Sequence, residues 1–189
     1  MVLDRLSLDL LARALDQTGN LVQHIQPEQA DLPTPCSAFD VQKLVNHTVY
    51  DLRTFNILLN GGQRESPDRD LIGQDWAAAY RAAADELMAT WRARGTEGTL
   101  KSQLGELPLK WAVGQHLADI AVHGWDIARA TAQPANLDSE IGEVALEWGR
   151  ANLKPEFRGQ AFGPEQPADP DAPVYDRLAA FFGRNPDWK

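Results

Sequence analysis

A single cysteine, Cys36, among 189 residues excludes an internal disulfide and any multi-cysteine zinc or iron-sulfur site within one chain. Any metal must therefore be held by His, Asp or Glu. Basic residues are also in short supply: 18 Lys and Arg stand against 27 Asp and Glu, a formal net charge of −9. That field repels phosphate backbones and anionic lipid surfaces, so neither nucleic acid nor a membrane is an expected partner. No uncharged apolar run approaches the roughly 18 residues a bilayer span needs. The opening MVLDRLSLDLLARALD mixes acids with its leucines and has no basic start, so it does not read as a secretory signal, and the expected location is cytoplasmic. A glycine-rich phosphate cradle is missing too, because Gly61-Gly62 and Gly95 follow helical stretches instead of joining a strand to a helix. Ser7, Ser37, Ser66, Ser102 and Ser139 fall in capping or loop contexts, which leaves a Ser-His-Asp relay without its nucleophile.

What is present is helical periodicity. Leu8, Leu11, Leu15, Val22 and Ile25 share one helix face, with Ser7 placed to cap it. The proline-rich PEQADLPTPCSAF breaks that helix, and Asp40 starts a second whose stripe is Val41, Val45, Leu52, Phe55 and Leu59. Trp76, Tyr80, Ala83, Leu87 and Trp91 mark a third helix that stops at Gly95. Leu109 to Thr131 is the most apolar stretch, with Val113, Leu117, Ile120, Ala121 and Ala128 facing a core. A fifth helix runs from Asp138 to before Pro155, and a short sixth from Val174 to Phe182. No alternating β-branched run stands out, and only the LPTP and QAFGP regions are candidates for short extended pieces. The fold class expected is all-α: a four-helix bundle over residues 1–155, with a loop, short helix and tail, 156–189, packed on the same domain.

Two of the four histidines lie on the fourth helix, where His116, Asp119 and His123 stand three and four residues apart on one side. Buried imidazoles need partners, and a carboxylate and histidine at i, i+4 supply two of about three ligands that a catalytic zinc takes. His47, at the flank of the second helix, is the natural third donor, with Asp51 one turn on to hold its other ring nitrogen from behind. Spacing alone leaves open that these are ordinary hydrogen-bonded or solvent-facing histidines. Cys36 lies at a helix N-terminus, where the dipole lowers a thiol pKa. Trp125, two residues past His123, is a candidate pocket wall, while His24 ends the first helix with no acid within a turn.

The segments TPCSAFDVQKLVNH (Thr34–His47), DIAVHGWDIARATAQ (Asp119–Gln133) and FFGRNPDW (Phe181–Trp188) carry a family resemblance. Together they resemble the DinB-like superfamily of metal-binding bundles, and more narrowly its mycothiol-dependent maleylpyruvate isomerase N-terminal type. The last segment resembles the tail of its stand-alone actinobacterial members. The resemblance implies a metal triad on His47, Asp119 and His123, holding a divalent ion, zinc first and nickel or iron as alternatives. It further implies mycothiol as a cofactor and an isomerase, thiol transferase or hydrolase acting on a small molecule. A non-catalytic metal-dependent binding module is the alternative, and leftover apolar faces admit a homodimer. Departures are Asp119 where relatives carry Glu, CSAF for CPGW, and Ala132-Gln133 for a glycine-containing end. By the same resemblance Cys36 is a structural turn residue. His116 is then an extra imidazole, either lining the pocket or satisfied within the core.

Overall fold

The computed structural model describes residues 2–64, 66–102, 105–134, 136–159 and 162–188. Most of the long helices begin where a side chain can accept a backbone N–H that has no partner inside the helix; α5, behind a proline, is the exception. Ser7 Oγ accepts from the Leu10 N–H at 3.1 Å and starts α2 (Leu8–Gln23), after a single turn α1 (Val2–Arg5). Asp40 accepts from the Lys43 N–H at 2.8 Å and starts α3 (Val41–Leu59). Asp75 does the same for α4 (Trp76–Arg94) through the Ala78 N–H. Pro108 leads into α5 (Leu109–Ala130), Asp138 caps α6 (Ser139–Asn152), and α7 spans Val174–Phe181.

The stripes meet as expected of an all-α bundle. Helix α2 packs on α4 and α5, α3 packs on α4 and α5, and α6 lies between α5 and α7. Leu11, Leu44, Leu52, Leu87, Trp91, Leu117, Ile120 and Ile127 are fully buried between them. Helix α5 is the central element: of its residues only Lys110, Trp111, Gln115, Asp119 and Arg129 escape full burial. Its close approach to α6 depends on Gly114, where a Cβ would collide with the Trp148 indole and lie 2.9 Å from Leu6 Cδ1. At the other end of the chain Gly183, at φ +87°, would place a Cβ 2.7 Å from Gly163 Cα. Only glycine turns there, and the turn delivers Arg184 into the bundle.

Three local features differ from the expectation. Strands β1 (Thr99–Ser102) and β2 (Gly105–Pro108) form an antiparallel hairpin, with Thr99 opposite Pro108 and Ser102 opposite Gly105. The hairpin is largely exposed along β2, so it imposes little of the apolar alternation by which strands are recognised. The turn α1 was not expected, and α7 ends one residue sooner, at Phe181. Short extended contacts do occur where LPTP and QAFGP suggested them, as the bridges Pro33 to Asp40 and Arg158 to Phe162. No helix among the described residues is long and apolar enough to cross a membrane.

Candidate functional site

Helix α5 contributes Asp119, His123 and Asp126, one per turn, and α3 contributes His47 and Asp51 in the same way. His123 is 4% exposed, with Nδ1 3.1 Å from Asp126 Oδ2 and Nε2 3.6 Å from Asp119 Oδ1. Asp126 is fully buried and also receives Arg184, from Nη2 at 3.0 Å and Nε at 3.3 Å. Burial alone pushes the Asp126 carboxyl up, but Arg184 and the His123 hydrogen bond outweigh it and hold the group below its ordinary range. An ionised carboxylate only accepts, so His123 Nδ1–H donates, and in the neutral ring the lone pair is left on Nε2.

His47 faces this group from α3. Its ring lies edge-on to that of His123, with centroids 5.2 Å apart, and is stacked on Phe39 at 4.7 Å. Burial, with His123 as neighbour, brings His47 down to about 4, so it is neutral at pH 7. Asp51 Oδ2 is 3.1 Å from His47 Nε2, and the same side chain is hydrogen-bonded to Asp119. Burial and the Asp119 charge raise Asp51 to about 9, so this carboxyl keeps its proton at neutral pH. Asp119 Oδ2 is buried with no hydrogen-bond partner.

The structure therefore brings His47, Asp51, Asp119 and His123 together. Among the described residues, however, no group of three or more His, Cys, Asp or Glu side chains is arranged to hold a metal ion as it stands. Asp51 meets a ring nitrogen of His47, as expected, and the Asp119 charge also acts on its carboxyl. His116 fits neither expected role. It is fully buried and stacked on Phe55 at 4.3 Å and 7°, yet neither ring nitrogen has a partner, and burial lowers it to about 4. Trp125 is not at this site: its Nε1–H donates to Asp176 Oδ1 at 2.9 Å, on the α7 side of α5. His24 is exposed and lies 2.7 Å from the Asn20 carbonyl of its own helix. Cys36 sits in a turn tied by Thr34, whose hydroxyl contacts the Cys36 and Phe39 carbonyls, and burial raises its thiol, against the dipole effect considered above.

Two functional residues escaped the sequence. Asp126 is legible in principle, as a carboxylate three residues after His123 in the DIAVHGWDIARATAQ segment. Arg184 lies in the FFGRNPDW segment that carries the resemblance, but nothing in that segment points to its partner, which lies 58 positions away. Outside the cluster a cleft of about 600 Å³ opens beside His47, lined by Phe39, Lys43, His47, Tyr50, Arg69 and Ile72. Its far wall is pinned to α3 by Asn46, which donates to the Arg69 carbonyl at 2.9 Å and accepts from the Leu71 N–H at 2.7 Å.

The family model of the mycothiol maleylpyruvate isomerase N-terminal domain matches residues 11–128, a span that holds every member of this cluster except Arg184. The chain belongs to this family. The similarity extends beyond that span in two relatives, both uncharacterized proteins of Mycobacterium tuberculosis, from strains CDC 1551 / Oshkosh and ATCC 25618 / H37Rv. Each is 34% identical over 186 residues, covering 91% of this family member and 94% of the relative. No solved structure matches it.

Proposed function

We propose that this chain binds a divalent cation, zinc in preference to nickel or iron, through His47, Asp119 and His123. We further propose that it acts with a low-molecular-weight thiol such as mycothiol on a small molecule. The observation that carries this reading is the pairing behind His123: Asp126 holds Nδ1 from one side, which points Nε2 toward Asp119 and the edge of His47. Ligand imidazoles are oriented in this way by a carboxylate on the second nitrogen. Two imidazoles and a carboxylate form a donor set suited to zinc, nickel or iron. The buried Asp119 Oδ2, lacking any partner, is a further acceptor without a donor.

A divalent cation held by His47, Asp119 and His123 would lower the pKa of a thiol or water and polarise a carbonyl. The surrounding residues have separate tasks. Asp126 fixes the His123 tautomer, Arg184 keeps Asp126 ionised, and Phe39 covers one face of the His47 ring. The cleft beside His47 opens toward solvent and is large enough for a small molecule. A cytoplasmic location, where thiols are kept reduced, suits this use.

The test is to load the protein with cobalt(II) and add mycothiol. A thiolate-to-cobalt charge-transfer band in the near ultraviolet is expected, and it should be absent from His123→Ala. Stoichiometric cobalt without such a band would refute the thiol role, and failure to bind cobalt would refute the metal role.

A further inference from the structure

We infer that one buried water joins His116 to Asp119 Oδ2, which makes His116 a positioning residue for Asp119. The inference needs no bound cation, so it stands or falls apart from the metal reading. Its basis is the order in which α3 and α5 face each other. His47, Asp51 and Phe55 follow one another at turn spacing along α3, and His123, Asp119 and His116 answer them in reverse order along α5. The His47 and His123 ring centroids lie 5.2 Å apart, Asp51 is hydrogen-bonded to Asp119, and Phe55 stacks on His116 at 4.3 Å. His116 therefore occupies the level next to Asp119, on the same side of α5.

Both levels hold polar atoms that the protein leaves unmet. Oδ2 of Asp119 is buried without a hydrogen-bond partner, and so are both ring nitrogens of His116, whose side chain is fully buried. A neutral imidazole carries one N–H donor and one lone pair, whereas a carboxylate oxygen only accepts. Burial keeps the His116 ring neutral, and the Asp119 charge acts on it. The flat stack, 7° from parallel with Phe55, holds the ring where neither nitrogen reaches Oδ2. Three residues of α5 rise about 4.5 Å, and a water with hydrogen bonds of about 2.8 Å on either side spans about the same gap. Such a water accepts from the imidazole N–H and donates to Asp119 Oδ2, and buried waters are held by partners of this kind. With Oδ2 tied from the His116 level, Oδ1 is left to His123 Nε2, 3.6 Å away.

The experiment is oxygen-17 relaxation dispersion on metal-free protein, which counts long-lived internal waters through their oxygen and is blind to exchanging protons. His116→Phe and Asp119→Leu should each lose one water relative to wild type, and the double variant should lose the same single one. A merely structural His116 would lose packing in His116→Phe without moving a water shared with Asp119. An unchanged count in either single variant overturns the inference. So does a double variant that loses two, since His116 and Asp119 then hold separate waters. Should a variant fail to fold, the wild type decides alone. A rotating-frame Overhauser peak between a long-lived water and the His116 ring Cε1–H is expected there, and its absence overturns the inference.

Discussion

Replacing Arg184 by Met removes the guanidinium that contacts Asp126 and leaves a fully buried carboxylate with His123 as its remaining charged or polar side-chain partner among the hydrogen bonds seen. Both members of the ion pair are largely shielded, at 7% and 0% side-chain exposure, so solvent screening does not reduce the loss much. Breaking such a pair on one side costs about 3–5 kcal/mol. For a chain of this size that amounts to a melting temperature lower by about 6–20 °C. Removing both charges, in Arg184→Met with Asp126→Asn, should destabilise less than Arg184→Met alone, because no buried charge is then stranded. The pH dependence has a definite sign. Asp126 titrates lower in the folded protein than in the unfolded chain, so its contribution is complete above the unfolded value near 4 and is lost as pH falls through the folded one. Thermal unfolding of metal-free protein followed by circular dichroism should show the gap between wild type and Arg184→Met at full size at pH 7 and narrowing below about pH 4. A shift under about 1 kcal/mol at pH 7, or a gap that widens on acidification, would refute the reasoning.

Gly114→Ala should destabilise by about 1–3 kcal/mol in urea unfolding, because its Cβ is driven into Trp148 and Leu6 where α5 meets α6 and α1. Ala132→Gly should stabilise by about 1 kcal/mol, since Ala132 is held at φ +51°, where only glycine is free of the Cβ penalty. His116 is kept neutral by burial, so protonation favours the unfolded chain and wild-type stability falls as pH drops from 6.5 to about 4. Urea unfolding of His116→Phe should give a flatter dependence over that range, where the like contribution of His47 is opposed by Asp51, whose raised carboxyl is protonated in the folded chain and ionised in the unfolded one, and the variant should keep its metal.

The long helices were legible because each carries its own instructions: a capping Ser or Asp, or a leading proline for α5, an apolar stripe at helical spacing, and a glycine or proline beyond the end. The strands Thr99–Ser102 and Gly105–Pro108 were not, because one half-buried leucine on each, Leu100 and Leu107, is too little apolar alternation to mark a strand. At the site, the His116, Asp119 and His123 spacing announced a polar cluster on an apolar helix, but spacing on one helix does not tell what each member meets on α3. His116, three residues before Asp119, turned to stack on Phe55, while Asp119 and His123 turned to Asp51 and His47. Arg184 was beyond reach for a different reason. Its role depends on the Gly183 turn and on α7 packing against α5, both long-range outcomes that no window of sequence records.

The most direct test of the account is the metal content of the chain after removal of all metal and addition of one equivalent of zinc, measured on wild type and His47→Ala after gel filtration. His47 closes the proposed site from α3 and contributes little to the core that holds the helices together. Wild type should retain about one zinc per chain, and His47→Ala should retain essentially none while its circular dichroism spectrum is unchanged. Equal zinc in the two proteins, or none in wild type, would contradict it.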